Sequence, residues 1–348
     1  MQIDRSTNAS HDDAVAAAQS ALEAALPKRR TLPEERSRAA RANLEWVTPN
    51  HAEYPTLFHR LASPPPYFYR WGAPLTDRPT VAIVGSRRAT ARGETFAQRV
   101  ASELSEAGFR IVSGLARGID RAALEGALRA AGRPVAILGN GLPRIYPTEN
   151  RSLAGRIAAS GGAILSELPC DAPPRRQHFP KRNRLISGLS VGVLIVEATE
   201  RSGTLITAAW ALEQGRELLA VPGPIDAATS AGCHRLIREG ATLVTSTEEI
   251  LEGCAAAAPP PPVIPPALQQ AVEAGERDLE RLLEVSGLPP ARFLEAWRAL
   301  QKTEPPPFSG GKSPDPTHRE QCRRLRWEAP RPTSGEESGK ESGTDVGR

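Results

Sequence analysis

The stretch 173–184, Pro-Pro-Arg-Arg-Gln-His-Phe-Pro-Lys-Arg-Asn-Arg, places five cations, one histidine and one phenylalanine within twelve residues. No acidic residue occurs between Asp171 and Glu197, so nothing nearby along the chain neutralises this charge. Guanidiniums grip phosphates in a planar, bidentate fashion, and an aromatic face stacks on any base for about 1–3 kcal/mol. Together they describe a clamp for single-stranded nucleic acid. A run of cations is by itself most often a solvated face; Phe179 and the turns that surround the run favour the clamp.

The elements that must position these residues alternate. Apolar runs over 81–85, 110–113, 134–138, 163–167, 191–197, 217–221 and 241–245 read as strands, and helical patterns fill 93–107, 119–131, 148–160, 204–214 and 232–239. Several helices are closed by a glycine (Gly108, Gly132, Gly161, Gly215, Gly240) where the residue after the last turn needs positive φ. The strand runs are continuously apolar, which fits a parallel sheet covered on both faces. The expectation is an α/β fold: an extended Rossmann-like, mostly parallel sheet with helices on both faces, plus small helical N-terminal and C-terminal attachments. The basic stretch reads as a loop between two of the strands.

In such sheets ligands bind beyond the carboxyl ends of the strands. The residues there are Gly85-Ser86-Arg87-Arg88, then Ser113-Gly114-Leu115-Ala116-Arg117-Gly118-Ile119-Asp120, then Gly139-Asn140-Gly141, then the basic loop, then Arg201-Ser202-Gly203-Thr204. Glycines in these turns let backbone N–H groups approach phosphate oxygens, and the helix beginning after Gly203 adds partial positive charge. Taken singly, about half of such glycines serve turn geometry alone; five such turns on one rim point to a polyanion. The candidate DNA-contacting set is Gly85, Ser86, Arg87, Gly114, Arg117, Gly118, Phe179, Lys181, Arg182, Asn183, Arg184, Gly203 and Thr204.

Composition narrows the rest. The 348 residues carry a net charge of only +4, too mild for a histone-like coat, so nucleic-acid binding must come from local clustering. Cys170, Cys233, Cys254 and Cys322 form no C-x-x-C pair and no cluster with histidines at metal-ligand spacing, so no metal is expected. No G-x-G-x-x-G follows the first strand and no acidic residue ends the second, which argues against NAD. Gly311-Lys312-Ser313 imitates the end of a P-loop without its first glycine, in a Pro-rich segment. No cofactor is expected. Ser113, His178 and Asp120 share the rim, but their spacing does not orient them as a catalytic set. The longest apolar run, 191–196, is too short to cross a bilayer, and residues 1–20 are polar without a signal-peptide core. The expectation is a cytoplasmic protein without membrane insertion.

The order of motifs resembles one family. Val81-Ala-Ile-Val-Gly-Ser-Arg, Ser113-Gly-Leu-Ala-Arg-Gly-Ile-Asp120, Gly141-Leu-Pro-Arg-Ile-Tyr-Pro147, Asn183-Arg-Leu-Ile-Ser-Gly188, Glu197, Arg201-Ser-Gly-Thr-Leu-Ile-Thr207, Val221-Pro-Gly223 and Cys233-His-Arg-Leu-Ile237 are similar to the DNA-processing protein A (DprA, or Smf) family over about 44–254. The resemblance implies an extended Rossmann domain without known catalysis. It would bind single-stranded DNA, form a homodimer, and load the RecA recombinase onto DNA taken up in natural transformation. In that family the positions of Ser86, Arg87, the Ser-Gly-Leu-Ala-Arg-Gly turn and Phe179, Arg182, Asn183 and Arg184 line the DNA pocket. The resemblance also implies a dimer face at Ile237 and Leu243, and a RecA surface on or near Trp210, Glu213 and Gln214.

The flanks depart from the family. Residues 1–43 supply only two or three helices and read as a short remnant of a sterile-alpha-motif-like domain. Residues 255–266 read as an Ala/Pro linker. Residues 267–300, two amphipathic patterns around Gly287-Leu-Pro-Pro290, read as a partial helix-turn-helix of winged-helix type, and 301–348 as a disordered tail. The alternative function is a nucleotide N-glycosidase of the lysine-decarboxylase-like type, whose P-G-G-x-G-T-x-x-E turn is similar to Arg201–Thr207. That enzyme needs a glutamate just after the turn, where Ile206 and Thr207 stand here.

Overall fold

The computed structural model describes residues 6–26, 30–75, 78–257, 265–276, 278–288, 293 and 296. The chain divides into two units, Met1–Pro259 and Pro260–Arg348. The first contains strands β1 (Glu45–Val47), β2 (Phe68–Gly72), β3 (Thr80–Val84), β4 (Arg110–Ser113), β5 (Val135–Ile137), β6 (Ala163–Ser166), β7 (Gly192–Ile195), β8 (Glu217–Ala220) and β9 (Thr242–Leu243). Its helices are α1 (Ser6–Ala25), α2 (Leu32–Arg41), α3 (Thr56–His59), α4 (Ala91–Glu106), α5 (Ile119–Arg129), α6 (Arg151–Ala159), α7 (His178–Gly188), α8 (Thr204–Glu213), α9 (Ala231–Arg238) and α10 (Thr247–Ala257).

Among the described residues nine strands form one sheet in the order β1-β2-β6-β5-β4-β3-β7-β8-β9. Strands β3 to β9 are parallel to one another, with Val81 opposite Ile111, Ala82 opposite Val193 and Ala136 opposite Ile164. The mostly parallel Rossmann-like sheet expected from the sequence is therefore present, and β3 to β7 are buried on both faces because helices cover them. Unforeseen are β1 and β2, which extend one edge in antiparallel register, Trp46 against Tyr69 and Tyr69 against Ser166. They bury Tyr67, Phe68 and Tyr69 almost completely.

The N-terminal helices share the sheet's core. Ala18 and Leu22 of α1 and Ala39 of α2 pack in one cluster with Tyr67, Leu115, Leu142 and Ile164. Helix α2 begins at a capping box, with Thr31 N–H donating to Glu34 at 2.9 Å. Just before it, Arg30 donates to Glu35 at 3.1 Å and to Asp171 through Nη2 at 2.6 Å, while buried Glu35 accepts the Cys170 N–H at 2.5 Å. Hydrogen bonding from Arg30 holds the Asp171 carboxyl below its ordinary value of 3.8. This polar latch fastens α2 to the loop that follows β6.

The second unit holds α11 (Pro266–Glu273) and α12 (Leu279–Ser286), whose Leu268, Val272 and Leu282 bury one another with Phe293 and Ala296. Asp278 caps α12 by accepting from Arg281 N–H at 3.0 Å, and Gly287 ends it at φ 62°. Of the segment read as a linker, 255–257 complete α10 and Pro266 begins α11. Residues 258–264 of that linker, most of the second helical pattern after Gly287, the 301–348 tail with its Gly311-Lys312-Ser313, and Cys322 lie outside the described residues.

Candidate nucleic-acid interface

Strands β3 to β7 point the same way, so the turns that follow them meet on one rim. The β3 and β4 turns dovetail: Ser86 O accepts the Ile119 N–H at 3.2 Å, and Ser86 Oγ accepts the Arg88 N–H at 3.1 Å. Gly118 has φ 69°, and a Cβ there would lie 2.3 Å from Ser86 O, so only glycine fits between the turns. Leu115, in the same turn, is a non-glycine at φ 57°, a conformation that costs of order 1–3 kcal/mol. Asn150 holds it by donating to Leu115 O at 2.9 Å. The β7 turn is tied to the same place, since Thr204 Oγ1 donates to Gly85 O at 3.0 Å. Nothing lies within 4 Å of where a Gly203 side chain would start, so that backbone faces open space.

The basic stretch is a loop only over 173–177. From His178 onward it is helix α7, whose Leu185 and Ile186, with Leu189 just after its end, join the core. Pro180 sits in the first turn, where a missing N–H leaves no bond unmade. The helix deals its charges to different sides. Lys181 is exposed, with no ion-pair partner among the described residues. Arg184 is bound to Glu167 and donates to Ser63 O at 3.1 Å. Asn183 Nδ2 donates to Gly203 O at 3.5 Å. Arg182 is only 6% exposed and donates to Gly114 O at 2.9 Å and to Ile137 O. Of the candidate residues Arg87, Lys181, Arg182 and Arg184, which could meet phosphates, the first two are exposed and the other two are engaged by the protein.

Phe179 is the centre of the rim. Its ring is half-buried and seated on the β5 turn, where a Cβ on Gly139 would lie 2.8 Å from ring atom Cδ1. The Arg87 guanidinium lies 5.4 Å from the ring centroid and that of Arg182 5.8 Å. Tyr146, 43% exposed, stands at 6.0 Å with its ring tilted by 49°. The sequence pattern did not single out Tyr146, although its place in a Gly/Pro-rich turn after a strand was the available signal. Arg117 is exposed but bound to Glu149; that contact draws the Glu149 carboxyl below its usual range. A cleft of about 410 Å³ opens beside it, lined by Arg87, Glu94, Gln98, Arg117, Arg121 and Glu149 among others. Glu149 and Glu167, the carboxylates that pair with Arg117 and Arg184, were likewise not expected from the sequence.

The remaining candidates fall elsewhere. Ser113 Oγ is buried and donates to Ile83 O at 2.7 Å, while Asp120 accepts from Gly114 and Ala116 N–H at 3.1 and 3.3 Å. Both are engaged with backbone. Glu197 accepts from Thr90 N–H at 3.0 Å and so secures the start of α4. On α8, Trp210 is half-buried and Glu213 exposed, and the following Gln214 is bonded to Ser187 Oγ at 2.7 Å and Arg184 O at 3.0 Å. Ile237 packs against the core, whereas Leu243, on edge strand β9, is 47% exposed. Cys170, Cys233 and Cys254 are free and buried. Among the described residues no helix is long and apolar enough to cross a membrane.

Residues 45–255 match the family model described as DNA recombination-mediator protein A. The chain is 52% identical over 172 residues to protein Smf of Escherichia coli, covering 49% of this chain and 46% of that one. It is 37% identical over 239 residues to the DNA processing protein DprA of Bacillus subtilis, covering 68% and 79%. It thus spans about half the length of the Escherichia coli relative and more of the Bacillus one. Among solved structures, DNA processing protein A from Helicobacter pylori, described for its single-stranded DNA binding mode, superposes with a TM-score of 0.54 at 32% identity, over 61% of this chain and 96% of that one.

Proposed function

The chain belongs to the DNA recombination-mediator protein A family, and from that premise we propose that it is a non-enzymatic, single-strand-specific DNA-binding protein that shields incoming DNA and loads RecA on it during natural transformation, in the cytoplasm. The observation that carries the reading is the Phe179 ring, flanked by the Arg87 guanidinium at 5.4 Å and by the Tyr146 ring at 6.0 Å, on an open rim of glycine turns. A ring so placed stacks on a splayed base, and Arg87 and Lys181 then meet the adjoining phosphates. Duplex DNA keeps its bases stacked on one another and offers the ring no face. The Helicobacter pylori relative's single-stranded DNA binding mode supports the same assignment.

Gly85, Ser86, Gly114, Gly118, Gly203 and Thr204 shape the pocket in this reading, with Arg117, Asn183 and Arg184 at its border. RecA docks on or near α8 through Trp210 and Glu213, with Gln214 at its end. A homodimer joins two pockets so that the second grips at high effective concentration, through Leu243 and the neighbouring Ile237.

The test is anisotropy titration of labelled oligo-dT against duplex of the same length. Strand binding much tighter than duplex binding, weakened by about 1–3 kcal/mol in Phe179→Ala with an unchanged melting temperature, is expected; equal affinities would sink the reading. Leu243→Glu should give a folded monomer in light scattering. Free base released from nucleoside monophosphates would point instead to the N-glycosidase.

A further inference from the structure

Two charged side chains beneath the pocket, Arg182 and Asp120, are each only 6% exposed. We propose that Arg182, backed by Asp120, is a positioning residue: it fixes the Phe179 ring for base stacking and touches no phosphate. This rests on the reading of the rim as a single-strand site and assigns the division of labour within it.

The geometry points inward. Arg182 Nη1 donates to Gly114 O at 2.9 Å and to Ile137 O, and Nε donates to Asn183 Oδ1 at 3.2 Å. Those two carbonyls lie at the ends of β4 and β5, so one guanidinium joins both strand ends to α7. Asp120 holds the other side of the same turn through the Gly114 and Ala116 N–H groups. A Cβ on Gly114 would lie 2.6 Å from Arg182 Nη2 and 2.7 Å from Asp120 Oδ2, so the two charges close on a glycine that leaves no room for a side chain. A cation this deep is tolerated only when hydrogen-bonded and opposed by an anion. Burial pushes Arg182 down to about 10 and Asp120 upward, while each opposes the other's shift; at neutral pH Arg182 remains a cation.

The link to stacking is direct. Phe179 and Arg182 are three residues apart and so share a face of α7, with the guanidinium 5.8 Å from the ring centroid. The ring rests on Gly139, two residues beyond the Ile137 carbonyl that Arg182 grips. Moving that guanidinium frees the floor on which the ring sits.

The experiment compares labelled oligo-dT with a strand of the same length whose sugars carry no base, across a salt series. Wild type should prefer the base-bearing strand; failure to bind either strand would refute the single-strand reading rather than this one. Arg182→Gln should lose most of that preference, about fivefold to 150-fold, with abasic affinity and salt slope unchanged. Arg182→Lys, which keeps a cation for the two carbonyls, should recover part of it. A salt slope shallower by about 0.7 in Arg182→Gln would mean a lost phosphate contact and overturn the proposal, as would an unchanged preference or no recovery with lysine. Should Arg182→Gln fail to fold, Asp120→Asn removes the opposing charge while keeping an acceptor for Gly114 and Ala116. It should lower the preference in the same direction, and an unchanged preference there refutes the assignment.

Discussion

Charge on α7 does not translate one for one into phosphate contacts, and a salt series tests this. On single strands each phosphate contact contributes about 0.7 to the slope of log K against log salt. Four contacts from Arg87, Lys181, Arg182 and Arg184 would give a slope near −3. With Arg182 buried and Arg184 bound to Glu167 and the Ser63 carbonyl, these four residues should supply only two contacts and a slope of about −1.4. Raising salt from about 50 to 200 mM then weakens binding about sevenfold through them instead of about fiftyfold. The sharper test is by substitution, with anisotropy for binding and thermal melts for stability. Arg87→Ala and Lys181→Ala should each flatten the slope by about 0.7 and leave the melting temperature unchanged. Arg184→Ala should leave the slope alone and lower the melting temperature, because Glu167 is then stranded; its side chain is 22% exposed, and breaking a largely buried pair costs about 3–5 kcal/mol. Arg184→Ala flattening the slope as much as Lys181→Ala, with an unchanged melt, would refute this division of the cations.

Two further outcomes are expected. Glu149→Gln should release Arg117 from its carboxylate partner, tightening strand binding and steepening the salt slope by about 0.7; unchanged binding would mean that Arg117 does not reach the strand. Asp171 titrates below its ordinary 3.8 because Arg30 hydrogen-bonds it. A depressed carboxylate stabilises the fold above its unfolded value and loses that contribution as pH falls through the folded one, so the gap in melting temperature between wild type and Asp171→Asn should be constant above about pH 5 and close below 3.8.

The parallel strands are legible in the sequence because each, buried on both faces, is a continuous apolar run. Strands β1 and β2 are not, since β1 has three residues and β2 reads Phe-Tyr-Arg-Trp-Gly, too short and too aromatic for alternation to register. Helix α7 is hidden by its own chemistry. Its first turn reads as a breaker plus a charge run, and only Leu185, Ile186 and Leu189 further on carry the buried face. The rim's membership follows from strand ends alone, so the order of the turns along the chain is enough to gather Ser86, Arg87, Gly118 and Phe179 on one edge. Which cations are free cannot be read in the same way, because Glu149 lies 32 residues from Arg117 and Glu167 lies 17 from Arg184. Neutralisation across such separations depends on the fold bringing turns together.

On the proposed function, that pattern would let a chain with a net charge of only +4 hold a polyanion. Helix α7 turns Arg182 and Leu185 into the protein and Lys181 outward, so one element both closes the strand ends and presents the groups proposed to meet the ligand. Fixing Phe179 in advance removes ordering entropy that a flexible basic loop would lose on binding. The ring's stacking energy, at about 1–3 kcal/mol, then carries more of the grip than a screened surface charge does, and it is unavailable on paired bases. Selectivity for single strands, if the proposed function holds, follows from committing Arg182 and Arg184 to architecture instead of to phosphates.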